Sequence, residues 1–196
     1  QDLNAFICGE LDANGTDFNP LRSLPNLDTH VLGSDKNSQC FTGFVPKGNA
    51  GTTKPIIGGP GYYAFTIEGM TVVFVHVPNA IRDDKDGAFA FYSKIQSDLT
   101  KASAPGIDIV MGDTNQQKAD FTRERLMQLK SGTFANALSG TSVSPIDNHQ
   151  YTTQGTNSMG DQLYDVCVYN SDRVAIDGIA YMSQSAGGKT VTDHMG

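Results

Sequence analysis

The sequence predicts an α/β domain, and three observations support that prediction. Its 196 residues are 38% hydrophobic and 18% charged, which is the composition of one folded domain with a single core. Short apolar runs typical of strands occur on both sides of two segments with helical periodicity. Residues that favour turns separate these runs, with no repeat and no obvious linker. We therefore expect residues 1–196 to form a single catalytic domain.

The N-terminal part of the chain has the weakest pattern. Residues 5–8 form an apolar run that ends near Glu10 and predicts a buried strand. Residues 12–61 are rich in Gly, Pro, Asn, Asp and Ser, which indicates a long surface loop with at most short strands, for example over 29–32 and 41–45. Loops of that length inside a compact domain are often functional.

The middle of the chain is more regular. Residues 62–67 and 71–77 are strand-like runs separated by three turn-forming residues, a spacing that predicts a hairpin. A helix is predicted over 86–104, because apolar residues recur there every four positions and Pro105 follows. These apolar residues are Phe91, Ile95 and Leu99.

The second half continues the alternation of strands and helices. Residues 107–111 predict a short strand that runs into Gly112. Residues 122–130 predict a second helix, with Thr122 as N-cap and Gly132 just past its end. Two more strands are predicted, over 163–169 and 174–182.

Charge and cysteine content exclude some classes of protein. The net charge is −7 and the isoelectric point is near 4.9, which disfavours tight nonspecific binding to nucleic acid but is compatible with a nuclease whose bound metal reverses the local field. No apolar run approaches the roughly 18 residues of a spanning helix, and no signal peptide is visible. Cys8, Cys40 and Cys167 form no Cys-x-x-Cys pair, so a structural zinc site is not expected. Cys8 and Cys167 are predicted to be buried, inert thiols.

The segment Gly112-Asp113-Thr114-Asn115 is the first candidate for chemistry. An apolar strand delivers a carboxylate and a carboxamide, two residues apart, to its own end, where sites of α/β proteins form. Asp binds hard cations through oxygen, and an Asn amide can donate to a phosphate oxygen. Taken alone, the same residues more often form a plain turn.

Four further positions are weaker candidates individually. His76 stands at the end of an apolar strand before Pro78 and is suited to proton transfer, although a lone His in an apolar run is more often a core residue. Asp193-His194 pairs a carboxylate with an imidazole. Asp165 lies in an apolar strand, where it either orients an imidazole or caps backbone amides. Glu10, at the end of the first strand, is either a metal ligand or an exposed charge.

The order of these motifs resembles the DNase I-like endonuclease/exonuclease/phosphatase superfamily, nearest to DNase I and the bacterial DNase-type genotoxin subunits. The resemblance rests on a strand that ends in His-x-Pro, a helix, a strand that ends in Gly-Asp-x-Asn, a strand that carries Tyr164-Asp165, and the late Asp193-His194 pair. It covers most of residues 71–194 and, thinly, residues 2–10. The superfamily's first and last strands are missing, so either the chain is trimmed at both ends or the fold is completed differently.

This resemblance implies a four-layered α/β/β/α sandwich of two facing mixed sheets and hydrolysis of phosphodiesters with Mg²⁺ (or Mn²⁺ or Ca²⁺). Residue by residue, it implies the following roles: Glu10 and Asp193 bind the metal, Asp113 positions or deprotonates the attacking water, Asn115 holds the phosphate, His194, oriented by Asp165, contacts the phosphate, and His76 assists the leaving oxygen. The superfamily's phosphate-binding Arg is absent, and Tyr62 and Asn79 are further candidates for substrate contacts.

Three functions remain open from the sequence. The leading one is a DNA endonuclease, secreted or delivered as a toxin rather than cytoplasmic, with DNA as substrate, no membrane span, and an inhibitor or delivery subunit as a protein partner. The second is a phosphatase or phosphodiesterase that acts on a lipid or small-molecule phosphate. The third is a catalytically inactive homologue that serves as a binding protein.

Overall fold

The computed structural model describes residues 5–12, 27–34, 39–46, 53–116, 119–138, 142–145, 155–156, 162–181, 185–186 and 189–190. They fall into two compact units. The first contains the residues up to 76 together with 94–109, and the second contains 77–93 together with the residues from 110 onward. Each unit is described by itself below, and the single domain expected over 1–196 stays a prediction.

The first unit begins with a three-stranded antiparallel sheet. Its strands are β1 (Phe6–Asp12), β2 (Leu27–Ser34) and β3 (Gln39–Pro46), in the order β1-β3-β2. The predicted first strand is confirmed and extends to Asp12.

A second set of antiparallel strands follows: β4 (Thr53–Gly59), β5 (Tyr62–Ile67) and β6 (Met70–His76), each paired with the next. The predicted hairpin is confirmed. Its two-residue turn has φ of 49° at Glu68 and 82° at Gly69, which is the left-handed geometry that twisted hairpins favour.

The short strands suggested over 29–32 and 41–45 are confirmed within β2 and β3. The prediction that 12–61 is mainly a long loop is wrong, because β2 and β3 are each eight residues long and β4 was not predicted. The physical reason is irregular pairing. The register shifts between Val31 and Gly33 in β2 and between Pro55 and Ile57 in β4, so polar and apolar residues do not alternate cleanly. Pro55 stands at such a shift, where a residue without an N–H is tolerated in a sheet.

Aromatic side chains form the core of the first unit. Phe65 is fully buried, Tyr63 is nearly so, and their rings lie 4.6 Å apart. Ile7 of β1 packs against this pair, together with Ile67 and Phe74 of the hairpin. The first sheet therefore shares a hydrophobic core with the strands that follow it.

Helix α1 (Lys85–Lys101) is confirmed but ends earlier than predicted. Asp84 caps its start, since its Oδ1 accepts the N–H groups of Asp86 and Gly87 at 3.0 Å each. Ser103, with φ of 56°, lies just past its end and breaks the helical path. Its buried side chains are Ala88, Tyr92, Ile95, Asp98 and Leu99.

The remaining elements are strands around one more helix. They are β7 (Ile109–Asp113), α2 (Ala119–Gln128), β8 (Phe134–Asn136), β9 (Ser142–Pro145), β10 (Asp165–Asn170), β11 (Gly178–Tyr181), β12 (Ser185–Ala186) and β13 (Lys189–Thr190). Strands β10 and β8 are antiparallel, β11 and β9 are parallel, and β12 and β13 form a short antiparallel pair. The α/β class predicted from the sequence is confirmed, with both parallel and antiparallel pairs.

Two details of this region correct the sequence predictions. Thr122 does not cap α2, because the helix begins at Ala119 and Thr122 is buried inside it with its hydroxyl 3.3 Å from that of Tyr92. The strand predicted over 107–111 lies two residues later, so Asp113 is its last residue. No helix among the described residues is long and apolar enough to cross a membrane.

Candidate functional site

The end of β7 and the loop that follows it have an unusual backbone. Gly112 has φ of 117° and Asn115 has φ of 50°, so the chain twice enters a region that most side chains avoid. The Asn115 N–H donates to Asp113 Oδ1 at 2.7 Å, which closes an Asx turn. Asp113, Thr114 and Asn115 are all at least nine-tenths buried. The turn interpretation of this motif is therefore correct locally, and the turn holds its polar residues in the interior.

One side of this loop is bonded to the chain immediately after His76. The Val77 N–H donates to the Asp113 carbonyl at 2.9 Å, and Asn115 Nδ2 donates to the Val77 carbonyl at 2.8 Å. The Asn115 side chain thus bonds the loop to Val77 within the second unit. One of its two amide N–H groups is engaged in this way.

The other side of the loop is bonded to the chain immediately before Asp165. Both the N–H and the hydroxyl of Thr114 donate to the Tyr164 carbonyl, at 2.8 and 2.9 Å. The loop is therefore held to both neighbouring segments by hydrogen bonds from Asn115 and Thr114, and the bond to Val77 uses only one of the two Asn115 side-chain N–H groups.

Asp165 is fixed through its main chain. Its N–H donates to Thr156 Oγ1 at 3.0 Å, and its carbonyl accepts the Tyr181 hydroxyl at 2.7 Å. Thr156 is fully buried, so this anchor lies inside the second unit. The carboxylate stands at the start of β10, where it is partly exposed. The imidazole it is predicted to orient, His194, lies outside the described residues.

His76 is the last residue of β6, as predicted, and its side chain is partly exposed. Its N–H donates to the Gly61 carbonyl at 2.9 Å within the first unit. Asn79 is exposed and begins a short 3₁₀ helix over Asn79–Ile81 in the second unit. The substrate-contact role of Asn79 stays a prediction.

Tyr62 is a core residue in this structure. It is 1% exposed, and its hydroxyl donates to Asp98 Oδ2 at 2.6 Å. Burial and the bond to Asp98 raise the pKa of Tyr62 well above its ordinary value of 10. The hydroxyl that was predicted to contact a substrate is thus engaged with Asp98, and its substrate role stays a prediction.

The predicted metal ligands lie outside the side chains that the structure describes. Glu10 falls within β1, as expected for a strand-end position, but only its backbone is described. Asp193, like His194, lies beyond the described residues. The side chains that are described contain no cluster of three His, Cys, Asp or Glu groups able to hold a metal ion. The metal-binding roles of Glu10 and Asp193 stay a prediction.

Sequence inspection missed two buried polar residues of the second unit. Gln116 follows Asn115, is 1% exposed and has no side-chain hydrogen-bond partner in the described structure. Arg125 of α2 is 8% exposed, lies 5.1 Å from the Phe121 ring and donates to Glu124. No sequence signal separates these residues from the exposed polar residues around them, because burial arises from the tertiary fold.

Cys167 lies on β10 and is a free thiol. Burial raises its pKa to about 11, so the sulfur is protonated at neutral pH. A protonated sulfur agrees with the prediction of an inert thiol, but the residue is partly exposed rather than buried as predicted. The side chains of Cys8 and Cys40 lie outside the described structure.

No protein-family model matches the chain, and no curated protein sequence matches it. Solved structures do match it. A 3′-5′ exonuclease (NExo) from Neisseria meningitidis superimposes with a TM-score of 0.63 at 11% identity, over 98% of this chain and 86% of that chain. A second NExo structure, of a 3′ phosphatase bound to a product DNA hairpin, gives a TM-score of 0.62 at 12% identity, over 98% and 86% of the two chains.

Two further matches come from other proteins. The mannosyl-6-phosphatase Bt3783 of Bacteroides thetaiotaomicron gives a TM-score of 0.58 at 12% identity, over 98% of this chain and 83% of that chain. The cytolethal distending toxin of Actinobacillus actinomycetemcomitans gives 0.50 at 14% identity, over 81% and 61%. The chain thus shares the fold of these exonuclease, phosphatase and toxin structures, in agreement with the DNase I-like fold that the order of its motifs predicted.

Proposed function

We propose that the protein is a divalent-metal-dependent hydrolase of phosphoric esters and that DNA is its substrate. One observation carries this proposal. The loop formed by Asp113, Thr114 and Asn115 is hydrogen-bonded on one side to Val77, the residue after His76, and on the other to Tyr164, the residue before Asp165. Within the second unit, one buried turn therefore joins two segments that are distant from it in sequence: the residues that begin at Val77 and the residues that lead into Asp165.

The chemistry of these side chains suits hydrolysis of a phosphoester. Asp113 positions or deprotonates the attacking water, since a carboxylate is a base and its turn is rigid. The second Asn115 N–H donates to a phosphate oxygen, while the first stays on Val77. His76 protonates the leaving oxygen, and His194, oriented by Asp165, contacts the phosphate.

The proposed metal is Mg²⁺ or a similar divalent ion, held by Glu10 and Asp193. A bound cation supplies charge neutralisation at the phosphate oxygens. The protein has a net charge of −7, so attraction of a polyanionic substrate needs such a local positive centre.

DNA is preferred as the substrate because the fold neighbour with a TM-score of 0.62 is bound to a DNA hairpin. A second candidate is a phosphatase that acts on a sugar or other small phosphate. Its support is the comparable fold similarity to a mannosyl-6-phosphatase, with a TM-score of 0.58. The same residues would serve in the same roles, so the substrate alone separates the two functions.

The test is a plasmid-nicking assay run beside a phosphate-release assay on mannose 6-phosphate and phosphoinositides. We expect nicking of supercoiled DNA in Mg²⁺ and none in EDTA. The nicking rate of His194→Ala should be at least about 10²-fold below that of wild type, because one proton-transfer or phosphate contact is lost. His149 lies in a polar stretch of the sequence and has no predicted role, so His149→Ala is the matched control and should nick DNA at the wild-type rate. Phosphate release without nicking would establish the second candidate, and inactivity in both assays would exclude an enzyme.

A further inference from the structure

Gln116 has a buried side chain with no hydrogen bonds. It is 1% exposed, and neither its amide oxygen nor its amide nitrogen has a partner in the described structure. A primary amide carries two donors and an acceptor with two lone pairs. Leaving such a group buried and unpaired opposes folding, so buried polar atoms of native proteins nearly always have partners.

The residues just before Gln116 show how different its situation is. Asp113 Oδ1, Thr114 Oγ1 and Asn115 Nδ2 each make a hydrogen bond that holds the loop in place. Gln116 contributes only its backbone N–H, which points to Thr114 Oγ1 at 3.3 Å. Its side chain therefore adds nothing by hydrogen bonding to the loop that it extends.

An amide that is buried with hydrogen bonds is anchored, because it loses them when it moves. An amide that is buried without any loses no hydrogen bond when it turns toward an incoming ligand, and it gains one. Gln116 is thus the polar side chain of this loop that is most easily recruited by a ligand. Unpaired polar groups of this kind concentrate at functional sites, where a small loss of stability is tolerated.

The geometry points to Gln116 as a phosphate-binding residue whose amide N–H turns toward a phosphate oxygen of the bound ester, beside the contact from Asn115. This inference rests on the proposed function, because it adds a residue to the same site. The ligand is a phosphate oxyanion, which accepts hydrogen bonds from neutral amides in many protein sites. Asn115 already donates one N–H to Val77, so only its second N–H can bind phosphate. The Gln116 amide would supply a further neutral donor beside it.

The experiment compares Gln116→Met with wild type by thermal unfolding, using inorganic phosphate with Mg²⁺ as the probe and chloride at matched ionic strength as the reference. Without phosphate, Gln116→Met should unfold about 3 °C higher than wild type, because an unpaired buried amide has been replaced by an apolar side chain of similar shape. With phosphate, wild type should gain more stability than the variant, and the apparent affinity of the variant for phosphate should be about tenfold weaker.

Thr71→Val is the matched control. Thr71 is fully buried and its hydroxyl also lacks a partner in the described structure, but it stands at the start of β6 in the other unit. This variant should unfold slightly higher than wild type and respond to phosphate as wild type does. Gln116→Asn keeps the amide on a shorter side chain. It should bind phosphate more weakly than wild type without the gain in stability. It therefore tests the inference even if Gln116→Met does not fold.

The outcomes separate this inference from the proposed function. Equal phosphate responses in wild type and in both Gln116 variants, or no response in wild type, overturn the role of Gln116. If the phosphate response depends on Gln116 but the protein is inactive in the nicking and phosphate-release assays, the phosphate site is supported and the proposed hydrolase function is excluded. If wild type hydrolyses its substrate and the Gln116 variants bind phosphate as wild type does, only the inference about Gln116 is overturned.

Discussion

Two groups of buried polar residues in this molecule are built in opposite ways. In the first unit, the Asp98 carboxylate accepts hydrogen bonds from Tyr62, Lys94 and Lys101. In the second unit, the loop from Asp113 to Gln116 has a positive φ at Asn115 and ends in an amide without partners in the described structure. The first group is fully paired on regular secondary structure, whereas the second is strained and incompletely paired.

The difference indicates that the Asp98 group has a structural role and that the Asp113 loop has a functional one. A buried charge with several partners on regular elements resists rearrangement, because each bond that breaks leaves a desolvated group behind. A strained turn with an unpaired buried amide is less stable than a relaxed, fully hydrogen-bonded turn. Such a loss of stability is tolerated where a ligand supplies the missing contacts. We therefore expect substitutions in the Asp98 group to change stability and substitutions in the Asp113 loop to change activity.

The largest expected effect is on catalysis by Asp113→Asn. An Asn oxygen can still accept the N–H of Asn115, so the turn should persist, but the negative charge and the base are lost. We expect the rate of DNA hydrolysis to fall by about 10³-fold. The melting temperature should stay close to that of wild type.

Asp120→Asn provides the control for this variant. Asp120 is exposed in the first turn of α2 and pairs with Arg123 at 3.1 Å, so its loss should leave the rate unchanged. If Asp113→Asn instead unfolds at a much lower temperature, the carboxylate serves the turn itself. The contrast between the two groups would then disappear.

A large effect on stability is expected from Asp98→Ala. This change leaves the Tyr62 hydroxyl buried without the acceptor it now has at 2.6 Å and separates it from the two lysines. We expect a loss of about 2 kcal/mol, or a melting temperature about 6 °C lower. Circular dichroism at 222 nm or calorimetry measures it, and kcat well below the transition should match wild type.

Tyr62→Phe is the partner variant, and its effect should be smaller. It removes one neutral donor, while Lys94 and Lys101 continue to hold the carboxylate, so a loss of about 1 kcal/mol is expected. A loss equal to that of Asp98→Ala would show that the tyrosine bond dominates the group. A large change in kcat for Asp98→Ala would show that the paired group also serves the reaction.

The local part of this structure could be predicted from the sequence. The Glu68-Gly69 turn between two apolar runs predicts a hairpin, and four-residue spacing predicts α1, because both signals are contained within a short segment. The loop at Asp113 was recognised because an apolar strand delivers turn-forming polar residues to its end.

The parts that could not be predicted depend on pairing across long separations. The bond between Tyr62 and Asp98 joins residues 36 positions apart, so no pattern around Tyr62 shows that its hydroxyl is engaged. The same holds for Gln116, whose sequence context is polar although its side chain is buried. Strand β4 was missed, and β2 and β3 were predicted too short, because shifts in register disrupt the alternation that would reveal them.

The smallest expected effect is the acid dependence of the Asp98 contribution. Burial by itself raises the pKa of Asp98, but the hydrogen bonds from Lys94, Tyr62 and Lys101 together lower it from 3.8 to about 2. A carboxyl whose pKa is lower in the folded state stabilises the protein above its unfolded pKa, and this contribution is lost as the pH falls through the folded pKa. The difference in melting temperature between wild type and Asp98→Asn should therefore be constant above about pH 4 and shrink toward about pH 2. Other acid-sensitive groups cancel in this difference because the two proteins share them. A difference that does not change down to pH 2 would mean that the carboxylate charge contributes nothing and that Asp98 acts only as a hydrogen-bond acceptor.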